Sequence, residues 1–155
     1  MRISARADYA VRACIELVRA GAQGCTSEAM SKAQDIPQPF LQNVLGDIRR
    51  AGYVRSSVRR GGGYRLAVPA DEVSVADILR AIDSPLLQVH GLHPDELRSP
   101  ESTAAVAGLW SAVCQGMTAL LEQVSLRDVA DGELPRLASL PAGILDDGQS
   151  DALTA

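Results

Sequence analysis

Gln38, Gln42 and Asn43 set three amide side chains within a span of six residues. An amide holds a donor beside an acceptor, the arrangement that pairs bidentately with the major-groove edge of adenine. Phe40, between them, has the apolar surface a thymine methyl contacts. Further on, Arg59 and Arg60 run directly into Gly61, Gly62 and Gly63. Arginine is the better fork for phosphate, and glycine lets a backbone approach a groove closely. Tyr9, Ser27, Arg49, Arg50 and Tyr64 are further candidates for phosphate contact. Each residue alone also fits a solvated helix face or an ordinary hairpin turn. Together they point to double-stranded DNA as partner.

The elements that must position these groups follow from local pattern. Ala10, Val11, Cys14, Ile15, Leu17 and Val18 recur at helical spacing, predicting a helix over 5–20 that Gly21 and Gly24 stop. Thr26 or Ser27 can cap a short second helix over 27–34. Pro37 and Pro39 turn the chain into a third, with Phe40, Leu41, Val44, Leu45 and Ile48 on its apolar face and Gly52 at its end. Residues 53–58 and 64–68 have strand propensity around the glycine tip, which predicts a β-hairpin. Ser74 and Asp77 open a helix running to about Ile82. Three helices followed by a glycine-tipped hairpin is the order of a winged helix-turn-helix. The expected class is mainly α with a small β-hairpin wing and a long C-terminal dimerisation helix.

That long helix is expected from about Glu101 to Val124. Val106, Trp110, Val113, Met117, Leu120 and Val124 repeat every 3.5 residues, and Leu109 and Leu121 widen the stripe. A lone helix cannot bury so broad a stripe, so a second copy of the chain is expected against it. Residues 86–100 are irregular, Ser125 and Asp128 cap a last short turn, and the tail is expected to be flexible. The division is therefore 1–70 for DNA binding, 71–131 for the wing-side helix, loop and dimer helix, and 132–155 for an acidic tail.

The chain has 155 residues and a net charge of −4, with 46% hydrophobic and 22% charged residues. Taken whole, that balance argues against nucleic acid. Divided at residue 70, it reads differently. Residues 1–70 carry eleven basic and five acidic residues, net +6; residues 71–155 carry four and fourteen, net −10. The basic half suits a polyanion. No apolar run approaches the ~20 residues of a membrane span, and no signal peptide is read, so a cytoplasmic protein is expected. Cys14, Cys25 and Cys114 show no zinc-type spacing, so no cofactor is expected. His90 and His93 in the loop, and Asp8, are only weak candidates for a metal. Cys14 and Cys114 read first as buried small residues. No nucleophile–base pair, phosphate loop or paired carboxylates suggest an enzyme.

Several stretches resemble the Rrf2 family of bacterial winged-helix transcription regulators. They are residues 6–13, 36–42, 45–54 and the hairpin 61–66, continued by 74–83, Leu109-Trp110 and 124–129. The resemblance implies a homodimer whose long helices cross, with two recognition helices on a palindromic operator, and a repressor as the first reading. Pro39 stands where the family usually has a small hydroxyl residue, and Arg59-Arg60 where it commonly has one arginine before Gly-Pro. Cluster-bearing members hold iron–sulfur centres on three closely spaced cysteines before the dimer helix; residues 83–101 here contain none. Asp8 matches a remote cluster ligand of some nitric-oxide sensors, and an ion pair with Arg12 is its local reading. A small effector or partner protein at residues 86–100 stays open. So do a protein-interaction module and a sulfur or redox sensor with another ligand set.

Overall fold

A computed structural model describes residues 3–56, 62–98 and 100–134. The elements are α1 (Ala5–Ala20), α2 (Ser27–Gln34), α3 (Gln38–Arg50), β1 (Val54–Ser56), β2 (Tyr64–Leu66), α4 (Val75–Ala81), α5 (Ala104–Glu122) and α6 (Leu126–Asp131). Their starts follow from capping. Ser4 accepts from the Ala7 amide at 3.0 Å and Thr26 from the Ala29 amide at 3.1 Å. Ser74 with Asp77, and Ser125 with Asp128, form full capping boxes. Burial pushes the Asp77 carboxyl up, but hydrogen bonds from Ser74 and the charge of Arg80 outweigh it and lower its pKa.

α1 is the central post, packed by α3, α4, α6 and β2. Its buried Ala7, Ala10, Ala13, Cys14, Leu17 and Val18 meet Met30, Leu41, Leu45, Ile48 and Ile78. This is the aliphatic core expected of a chain that is only 3% aromatic. The two-stranded antiparallel sheet pairs Val54 with Leu66, Arg55 with Arg65 and Ser56 with Tyr64.

α5 departs from expectation in three ways. It begins at Ala104 after a 3-10 turn and ends at Glu122, short of Val124. Val124 is 5% exposed and sits in the chain's own core. The Val75 amide donates to the Val124 carbonyl at 2.8 Å and the Leu126 amide to the Val73 carbonyl at 2.9 Å, stitching the starts of α4 and α6 together. Val124 is therefore unavailable to a partner, and Leu121 packs against the same core. α5 is also, by length and composition, apolar enough to cross a membrane, with a mean hydropathy of 1.5. This corrects the expectation that no apolar run approaches the length of a membrane span: alanines and small polar residues separate the large apolar side chains but keep the mean high.

Candidate nucleic-acid interface

The helix-turn-helix is built from α2, a tight turn and α3. Asp35 ends α2 in the left-handed region at φ 52, and Ile36 is buried at 2% exposure. Pro37 precedes α3 and Pro39 sits in its first turn, where a missing amide proton costs nothing. Leu41, Val44, Leu45 and Ile48 bury one face of α3. Gln38, Gln42 and Asn43 are exposed, and so is Phe40, at 62%: it stands outside the apolar face expected to hold it, because the buried side is already filled by the other four. All four expected base-reading side chains are thus open to solvent in the N-terminal half of the helix, Gln38 and Gln42 one turn apart on the same side and Phe40 well round from them. Arg49 and Arg50 are exposed at its C-terminal end, where cations suit the helix dipole.

The hairpin is fastened to the helix-turn-helix by its backbone. The Cys25 amide donates to the Tyr64 carbonyl at 2.9 Å, and the Tyr64 amide to the Cys25 carbonyl at 2.8 Å. Two glycines make this approach possible. A Cβ on Gly63, at φ +122, would stand 2.7 Å from the Cys25 carbonyl oxygen; one on Gly24, at φ +73, would stand 2.7 Å from that of Tyr64. Gly63 therefore also serves backbone packing. Gly62, at φ +57, faces open space. Arg59, Arg60 and Gly61 lie outside the described residues. Tyr9, Ser27 and Tyr64 are half-buried, Tyr9 and Tyr64 against the core and Ser27 as the first residue of α2.

Several charged residues near this face were not singled out in the sequence. Asp47 of α3 pairs with both Arg6 and Arg50, and Arg6 also donates to the Ile82 carbonyl at 3.2 Å, tying the end of α4 to the recognition helix. Arg55 and Arg65 stand directly opposite each other on the hairpin, and with Arg127 they line a cavity of about 210 Å³. Like charges so placed repel, and among the described residues the buried Arg65 Nε has no partner. Cross-strand register is the signal that would have found them.

The weak metal candidates do not converge. Asp8 pairs with Arg12 at 3.0 Å. His90 lies in a turn at φ 53, while His93 caps a 3-10 turn at Pro94–Glu96. All three cysteines are free thiols and lie on different elements: Cys14 in the core of α1, Cys25 beside the hairpin and Cys114 on α5. Burial pushes the Cys14 thiol up to about 12. Among the described residues no three Cys, His, Asp or Glu side chains are grouped to hold a metal. This donor set does not fit an iron–sulfur centre.

A helix-turn-helix with a bared polar recognition face, closed by a two-stranded wing, defines a winged-helix DNA-binding protein. The family model for Rrf2, described as an iron-dependent transcriptional regulator, matches residues 3–132. The chain belongs to the Rrf2 family of transcriptional regulators. It is 41% identical over 136 residues to a helix-turn-helix-type transcriptional regulator of Mycobacterium tuberculosis, covering 87% of this chain and 84% of that one. It is 28% identical over 150 residues to the regulator IscR of Cereibacter sphaeroides, covering 92% and 95%. Among solved structures, the oxidised form of CymR from Staphylococcus aureus superposes with a TM-score of 0.68 at 28% identity, covering 84% and 97%. A transcriptional regulator of Listeria innocua reaches 0.71 at 22% identity, over 90% and 93%, and shares the fold.

Proposed function

We propose that this DNA-binding regulator acts as a homodimeric repressor on a palindromic operator, without an iron–sulfur cluster. The observation that carries the dimer is the face of α5. Val106, Leu109, Trp110 and Val113 are 45, 55, 36 and 38% exposed in the single chain. Covering what is exposed of each gains roughly a third to a half of the about 1.5–3 kcal/mol of full burial, and Met117 and Leu120, half-buried, continue the stripe. A second α5 crossing the first would cover it and carry two α3 helices on one two-fold axis.

In that arrangement Gln38, Gln42 and Asn43 read base edges and Phe40 packs on a thymine methyl. Arg49 and Arg50 reach phosphates, with Tyr9, Ser27 and Tyr64 at the margins. Arg59 and Arg60 serve the wing. The cluster-free reading rests on the scattered donor set.

The test is fluorescence anisotropy of the full chain on DNA from upstream of its own gene. Gln42→Ala is expected to weaken binding by about 1–3 kcal/mol and to relax preference at one position of each half-site. Unchanged affinity and preference would remove Gln42 from base reading.

A further inference from the structure

One face of the hairpin gathers positive charge that its surroundings do not balance. Arg55 and Arg65 stand opposite each other across β1 and β2, so their side chains leave the sheet on the same side. Arg127 of α6 joins them around a cavity of about 210 Å³ whose apolar walls include Leu17, Leu66 and Ala70. The Arg127 amide donates to the Ala70 carbonyl at 3.2 Å, which fixes its backbone there. All three guanidiniums keep their charge at physiological pH. Among the described residues, the only carboxylate paired with any of them is that of Asp131, 3.9 Å from Arg127. The last turn of α1 also lines the cavity, but the Gly21 amide already donates to its Leu17 and Val18 carbonyls. Arg65 gives a second, independent sign. It is half-buried, and its Nε is shut off from solvent with no acceptor among the described residues. A buried charged donor in that position is costly until an acceptor reaches it.

We propose that this cavity is a binding site for a small tetrahedral oxyanion, sulfate or phosphate. The Nε–Nη edge of a guanidinium offers two parallel N–H donors, spaced for two oxygens of one oxyanion. An ion seated on that edge of Arg65 satisfies Nε and meets Arg55 from across the strand pair. A dianion offsets two of the three positive charges, where a carboxylate offsets one, and it turns the cross-strand repulsion into shared attraction. Size points the same way, since the cavity falls below the about 300–1,000 Å³ of sites for drug-sized organic ligands. Among the described residues none from α2 or α3 lines it. The site is therefore separate from the helix whose amides face the bases.

An ion held by all three arginines ties the hairpin to α6, the element that follows the long helix α5. The wing would then be fastened to the half of the chain that carries the apolar stripe. That this fastening would alter DNA binding rests on the regulator reading above; binding of the ion does not.

The experiment is isothermal titration calorimetry of the full chain, free of DNA, with sodium sulfate and sodium phosphate in turn. Ionic strength is held constant with chloride. Saturable binding of one ion per chain is expected. Arg65→Met should weaken it about tenfold or more, the loss of a hydrogen bond to a charged group. Arg98→Gln, which removes the same charge from an exposed position in the loop before α5, should bind as the parent does. Circular dichroism checks that Arg65→Met is folded; should it not be, the exposed Arg127→Gln is read instead, again about tenfold weaker. No saturable binding, an undiminished affinity in the folded variant, or an equal loss in Arg98→Gln overturns the proposal. So does an Arg65→Met variant that flattens the salt dependence of DNA binding while the parent takes up no free ion, because the cluster would then be a contact for the DNA backbone.

Discussion

Gly63 shows how much one position can hold. Its φ of +122 is glycine territory, and an added Cβ would press to 2.7 Å on the Cys25 carbonyl oxygen, which is backbone and cannot swing aside. Gly63→Ala should therefore destabilise the chain by about 3 kcal/mol or more in urea unfolding, while Gly62→Ala, facing open space, should cost only the about 1–2 kcal/mol of its left-handed φ. Equal costs would mean that the strand–turn stitch is not structural. The glycine run could be read in the sequence as a hairpin tip, but the partner of Gly63 could not. Cys25 is a distant residue, and nothing in its own neighbourhood announces a carbonyl waiting for Tyr64. The same holds for Arg6 with Asp47. Local chemistry names the candidates, and long-range packing decides which of them meet.

At the level of elements, the helices of the first half were legible because their signals are local. Ser74 and Ser125 cap the starts read for them, Thr26 rather than Ser27 caps α2, and the 3–4 spacing of α1 and α3 marks the faces they bury. α5 was legible in its period but not in its end, since Val124 is claimed by the backbone bridge between α4 and α6. The shortened stripe makes a specific demand. Val113 is 38% exposed, so Val113→Glu leaves the protomer's own core intact. It should nonetheless place a charge in the proposed seam. Sedimentation equilibrium should find the parent chain dimeric and Val113→Glu monomeric, with an unchanged helical spectrum. A variant that sediments as a dimer would move the seam elsewhere.

Over the whole molecule, the acidic balance and the DNA-binding fold are reconciled by where the charge lies. The half bearing α2, α3 and the hairpin is net +6, and the half bearing α5 and the tail is net −10. Such a division confines attraction for a polyanion to one face and discourages indiscriminate coating of DNA. Two chains joined along α5 would present two such faces, each with Gln38, Gln42 and Asn43 outermost. The account then rests on one geometric claim, that two α3 helices read two half-sites related by a two-fold axis. Selection of bound sequences from a random DNA pool with the full chain, followed by sequencing, tests it most directly. The prediction is an inverted repeat with half-site centres one helical turn apart, about 10 base pairs, or a multiple of it. Enrichment of a single unrepeated site, or of no sequence at all, would contradict it.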